Sequence, residues 1–157
     1  MDFMTAVKTC FSKYVTFSGR AQRSEFWWFA LFTTVCSIIL TIVDSVLFGT
    51  VTTGPGSFEA QSDVAILSSL FSLAVFLPSI SVAVRRLHDT DRSGWWWWLI
   101  LVPIIGIIVL IVWYATRGTS GSNRFGEDPL GGAGHGGGGA NFDEAYTPSS
   151  IPNVSND

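Results

Sequence analysis

Charge is scarce in this chain. Asp, Glu, Lys and Arg make up 13% of its 157 residues, about half the roughly 25% of a typical soluble domain. Cysteine is nearly absent. Cys10 and Cys36 are the only two, which excludes a disulfide scaffold and a four-cysteine zinc site. There is no basic excess either: the net charge is −3, so no nucleic-acid signature is present. Apolar residues are plentiful, at 48% of the chain with a mean hydropathy of +0.40. They are bunched into three blocks, which excludes an ordinary soluble globule. The length is one domain's worth.

Block one is Phe26–Phe48, with Asp44 its single charge. Block two is Val64–Val84 and block three is Trp95–Ala115, both uncharged. About 20 apolar residues in a helix cross a hydrocarbon core of roughly 30 Å, so each block is long enough. Core helices of a soluble protein are shorter and amphipathic, and too little polar sequence remains to cover three of them. Block one starts late and exceeds the 7–15 apolar residues of a signal peptide, with no small-residue cleavage site behind it. It reads as a retained anchor. All seven Trp sit at block ends: Trp27, Trp28, Trp95, Trp96, Trp97, Trp98 and Trp113. Trp favours the headgroup level, where its ring is buried and its N–H stays wet. Base stacking or sugar binding needs Trp spread over a polar face instead.

Lys8, Lys13, Arg20 and Arg23 precede block one, and Arg85, Arg86 and Arg92 lie between blocks two and three. The 49–63 loop, with Gly54-Pro55-Gly56, carries only Glu59 and Asp63. Positive charge stays on the cytoplasmic side. The N-terminus and the 85–94 loop are therefore expected inside, and the 49–63 loop outside. The sequence favours three full crossings, which place the tail outside despite Arg117 and Arg124. The alternative is a re-entrant hairpin turning at Pro103–Gly106, both weak helix formers. It would put every Lys and Arg on one side, and its turn must be buried in protein.

The expected fold is an all-α membrane protein of three hydrophobic helices, near 26–48, 64–84 and 95–115, the third crossing or re-entrant. Residues 1–25 form a cytoplasmic segment. Within it Phe3, Val7, Phe11, Tyr14 and Phe17, with Cys10 beside them, follow helical spacing. That predicts an amphipathic helix on the inner leaflet or capping the bundle. Block two carries a small-residue stripe, Ala65, Ser69, Ser72, Ser79 and Ala83, suited to close helix packing, and Pro78 should bend it. Asp44 is a functional suspect as the one intramembrane carboxylate. At its depth, near the outer end, it is expected to reach water or a serine. Residues 127–157, with the run GGAGHGGGGA at 131–140, read as a flexible tail. His135 has no partner ligands in sequence, and Asn153-Val154-Ser155 is a chance-level glycosylation sequon.

Three polar motifs flank the blocks: FSGRAQRSEFW at 17–27, RRLHDTDRSGWW at 85–96 and GTSGSNRFGEDP at 118–129. In this order, around three apolar blocks, they resemble domain-of-unknown-function family 805, small bacterial inner-membrane proteins of the YhaH-like kind. The resemblance covers roughly residues 10–130, and the glycine-rich tail departs from it. It implies a multi-pass location in the bacterial inner membrane and supplies no activity, so no catalytic residue, metal or cofactor is carried over.

On the residues themselves, Arg20, Arg23, Arg85, Arg86 and Arg92 gather on the cytoplasmic face. There they are candidates for binding anionic lipid headgroups, or they fix topology and pair with Glu25, Asp89 and Asp91. Were the helix to continue past Val84, Arg85 and Asp89 would be i,i+4 neighbours. His88 beside Asp89 is a candidate acid–base pair, set against a His that only holds the turn. Ser93-Gly94 reads as the turn back into the bilayer. Asn123-Arg124-Phe125-Gly126 suggests docking on the bundle, with Glu127 and Asp128 near the arginines. The preferred function is a non-enzymatic membrane protein whose Arg/His/Asp face binds anionic lipid or a partner protein, with self-association through block two. The alternatives are a transporter or channel subunit, and an interface enzyme using His88 and Asp89.

Overall fold

The computed structural model describes residues 1–54, 57–62 and 65–131. Residues 132–157, the greater part of the expected flexible tail, lie outside the described residues, as do His135 and the sequon.

The chain is mainly helical. Helix α1 spans Phe3–Ser12, and Asp2 caps it by accepting from the Thr5 amide at 3.2 Å. Its buried side is Ala6, Val7 and Cys10, not the full aromatic stripe. Small residues let the helix lie close, while Phe3 and Phe11 grip its edges. Phe3 meets Trp28 edge-on at 5.8 Å, and Phe11 meets Phe29 at 5.7 Å. Phe17 is exposed. The capping form of the expectation is the one observed.

Helix α2, Arg23–Phe48, and helix α3, Ile66–Asp89, rise about 39 and 36 Å respectively. Both are long and apolar enough to cross a membrane. Their flanks expose Leu31, Ile38, Ile42, Leu70, Leu73 and Phe76, an exterior suited to lipid. The buried clusters are small: Cys10, Ala21, Phe29 and Val82 in one, and Ala83, Leu87, Leu110 and Tyr114 in the other.

Between α2 and α3 the expected loop is a two-stranded antiparallel hairpin. Strand β1, Gly49–Gly54, pairs with β2, Ser57–Ser62. The expected loop therefore needs correction here, and the other elements among the described residues are helical. The β-branched run Thr50-Val51-Thr52-Thr53 favours a strand once α2 has ended.

Two polar groups inside the apolar helices have structural partners. Ala65, at the N-cap of α3, has no capping side chain. Asp44 of α2 replaces it, accepting from the amides of Leu67 (3.1 Å) and Ser68 (2.8 Å) and from Ser68 Oγ (2.7 Å). A carboxylate at a helix N-terminus satisfies orphan donors and meets the positive dipole end. Pro78 sits inside α3, where its missing N–H frees the carbonyl four residues back. That carbonyl, of Ala74, accepts the Tyr14 hydroxyl. The Ser81 hydroxyl fastens the same segment to α3 through the carbonyls of Lys13 and Thr16. Of the small-residue stripe in α3, only Ala83 is buried. Ser69 and Ser72 are exposed, and the packing face is Val75, Pro78, Ser81 and Val82.

Block three is not one helix. A 3-10 helix spans Gly94–Leu101 and helix α4 spans Ile105–Ala115. Each leg rises about 16 Å, half a hydrocarbon core. Between them Ile104 takes a left-handed φ of 65°, and the Gly106 amide donates to the Val102 carbonyl. The legs run antiparallel, bringing Trp96 to 5.6 Å from Trp113. Gly106 permits the approach, because a Cβ there would sit 1.9 Å from the Leu99 carbonyl oxygen. Gly106→Val should lower stability by at least about 1–3 kcal/mol, read as a thermal melt in mild detergent. An unchanged melt would contradict the tight turn.

Candidate functional site

Helix α3 runs five residues past Val84, so Arg85, Arg86, His88 and Asp89 form its last turn and not a loop. All four are buried. The i,i+4 rule does not operate here. Asp89 pairs with Arg86 on its own helix and with Arg20 from the segment between α1 and α2. Arg20 Nε donates to Asp89 Oδ1 at 2.9 Å, and Arg86 Nη1 donates to Oδ2. Arg85 faces the other way, and its Nη1 donates to Glu25 Oε1 at 2.6 Å in the first turn of α2.

The remaining donors of Arg20 and Arg86 reach backbone, whereas Nε and Nη2 of Arg85 are buried with no hydrogen-bond partner among the described residues. Arg20 Nη1 and Nη2 donate to the carbonyls of Gly121 (2.6 Å) and Thr119 (2.5 Å). Arg86 Nε donates to the Tyr114 carbonyl at 3.1 Å and Nη2 to that of Thr116. These carbonyls belong to the end of α4 and the segment behind it. That segment bonds back: the Thr119 amide donates to the Asp89 carbonyl at 2.9 Å, and Asn123 Nδ2 donates to that of His88 at 2.9 Å. Gly118 lies against the carboxylate, where a Cβ would be 2.0 Å from Asp89 Oδ2. Asp128 sits at the rim, 3.9 Å from Arg20 Nη2. Hydrogen bonds from the amides of Leu130 and Gly121, with the Arg20 charge, hold its carboxyl below the usual range.

The five candidate arginines thus divide. Arg20, Arg85 and Arg86 are inside, their charge met by Glu25, Asp89 and carbonyls. Arg23 is exposed, and half-buried Arg92 lies 4.5 Å over the Trp113 ring. Outside these five, exposed Arg124 pairs with Asp91 at 3.2 Å. His88 and Asp89 do not act on each other. The His88 Nδ1 lies 3.2 Å from the Gly19 carbonyl, and the ring stacks on Phe125 with centroids 3.9 Å apart. Ser93 caps the 3-10 helix by accepting from the Trp95 amide at 3.4 Å. Both oxygens of Asp89 are engaged, which leaves no free base there. Cys10 lies 3.9 Å from Glu25. Burial, then the neighbouring carboxylate, pushes its thiol up to about 12, so it stays protonated at neutral pH.

Sequence reasoning placed the participants and not their pairings. Thr119, Gly118 and the carbonyls of Tyr114 and Thr116 carried no signal of their own. The polar 118–129 motif behind an apolar block was the available one.

The family described as protein of unknown function (DUF805) matches residues 14–127. The chain belongs to this family. The matched range holds every residue of the buried node, from Arg20 to Asn123. Inner membrane protein YhaI of Escherichia coli K12 is 45% identical over 116 residues, covering 74% of this chain and 87% of that protein. Inner membrane protein YhaH of the same strain is 43% identical over 116 residues, covering 74% and 88%. No solved structure matches. The chain is therefore a DUF805 membrane protein related to inner-membrane proteins, and the family description gives no activity.

Removing one partner of a buried ion pair costs about 3–5 kcal/mol. Asp89→Ala should lose that much in unfolding experiments in mild detergent. Asp91→Ala, whose pair with Arg124 is exposed, should lose under about 1 kcal/mol. Equal losses would contradict the assigned hierarchy.

Proposed function

We propose that this DUF805 protein is a non-enzymatic, multi-pass inner-membrane protein whose cytoplasmic basic rim holds anionic lipid. Two helices, α2 and α3, cross the bilayer, and block three enters and leaves on the cytoplasmic side. One observation carries the topology. Arg20, Arg86 and Asn123 tie residues 114–126 to the end of α3, the end from which the 3-10 leg also departs. Both ends of block three therefore share one face, and neither leg is long enough to span about 30 Å. This arrangement gathers all nine Lys and Arg and all seven Trp at one interface, in keeping with the positive-inside rule. Three full crossings would separate Trp113, Arg117 and Arg124 from the rest.

The arginines of the node are buried, so lipid binding falls to the outward cations Lys8, Arg23, Arg117 and Arg124. Each basic group near an anionic surface contributes about 1 kcal/mol. An Arg23→Gln, Arg117→Gln, Arg124→Gln triple variant should bind phosphatidylglycerol roughly 100-fold more weakly, measured by native mass spectrometry of the detergent-purified chain. Unchanged retention would contradict this reading.

One observation favours self-association as a second reading. Ser37, Thr41, Ser69 and Ser72 line an open groove between α2 and α3, and hydroxyl-rich surfaces let transmembrane helices approach closely. An ion path through Asp44 is disfavoured, because its oxygens are engaged in capping α3.

A further inference from the structure

A groove on the flank of α3 is used by none of the contacts described above. Its volume is about 790 Å³, within the range of about 300–1,000 Å³ typical of ligand sites. Phe76, Ile80, Trp95 and Trp98 form its walls, and His88 and Ser93 stand at its head. Phe76 lies twelve residues before His88, about 18 Å down the helix, leaving room for much of an acyl chain.

The chemistry of the head is specific. A carbonyl can only accept, so the contact with Gly19 assigns the hydrogen to His88 Nδ1. In the neutral ring Nε2 is then a bare acceptor. None of the hydrogen bonds among the described residues reaches it, and the Phe125 stack holds the ring in place. Ser93 Oγ accepts from the Trp95 amide, which leaves its hydroxyl hydrogen free to donate. The head thus offers one acceptor and one donor lining the same groove, the complement of a hydroxyl group. Gly94 keeps it open: a Cβ there would lie 3.3 Å from Nε2 and 2.7 Å from Val84 Cγ1.

We propose that this groove holds an acyl chain of a glycerol-headed anionic lipid, whose headgroup hydroxyl donates to His88 Nε2 and accepts from Ser93. The occupant is a bilayer lipid because the groove runs along a helix long enough to cross a membrane. Its mouth is formed by exposed Trp95 and Trp98, residues that favour the headgroup level. The proposal rests on the anionic-lipid reading above and adds the headgroup.

The test uses the full chain in mild detergent, with lipid retention counted by native mass spectrometry. The probes are phosphatidylglycerol, phosphatidylethanol (the same phosphodiester charge and chains, no headgroup hydroxyl) and phosphatidylcholine. Phosphatidylglycerol should be retained about fivefold better than phosphatidylethanol, the effect of one net hydrogen bond. His88→Asn, whose amide still donates toward Gly19, should bring that ratio to one. Ile80→Trp fills the wall away from the node and should also abolish the preference. Equal retention of the two anionic lipids, both above phosphatidylcholine, would overturn the groove assignment and leave the basic-rim reading standing. No preference for either over phosphatidylcholine would overturn both.

Discussion

One buried carboxylate organises this molecule. Asp89 is shared by Arg86 of its own helix and by Arg20 from the segment between α1 and α2, and both arginines reach on to carbonyls of residues 114–121. Buried charge is tolerated only when paired and hydrogen-bonded. The node holds three arginines against two carboxylates, Glu25 and Asp89, so one positive charge is left over. Backbone carbonyls offset it. Arg86 reaches the carbonyls of Tyr114 and Thr116, where α4 ends and its dipole is negative. The segment behind α4 closes the remainder through Thr119 and Asn123, and Gly118 leaves the carboxylate its space.

The hairpin follows from that constraint. The chain leaves α3 at Asp89 and returns to it by Thr119, so the apolar stretch between must go out and back. Two legs of about 16 Å with a break at Pro103–Ile104 accomplish this. In the proposed topology lipid cannot satisfy the open backbone of such a turn, and the bond from the Gly106 amide to the Val102 carbonyl supplies part of what it needs. The 3-10 leg is longer than such helices usually run. Trp95, Trp97 and Trp98 of this leg line the groove against α3.

Blocks one and two were legible because length and hydropathy mark a long apolar helix directly, one able to cross a membrane. The break in block three was legible as Pro103 and Gly106, but hydropathy alone favours a crossing. Only contacts distant in sequence, such as Arg20 with Thr119, decide against a continuous helix. Local rules misassigned Arg85, because the i,i+4 pattern cannot see Glu25 sixty residues away. Asp44 reaches a serine, as its depth implied, but a cap supplied to α3 by a neighbouring helix leaves no local signature. The strands at 49–54 and 57–62 are short and polar, and the β-branched run at 50–53 is their main propensity signal.

The side of the membrane occupied by the C-terminal segment tests the account most directly. Reporters active in one compartment only, fused behind residue 131 and at the N-terminus, read both ends. The account predicts both in the cytoplasm, because the Asp89 node holds residues 114–126 beside the N-terminal segment. A C-terminal segment on the opposite side from the N-terminus would contradict it, since the node could not then form.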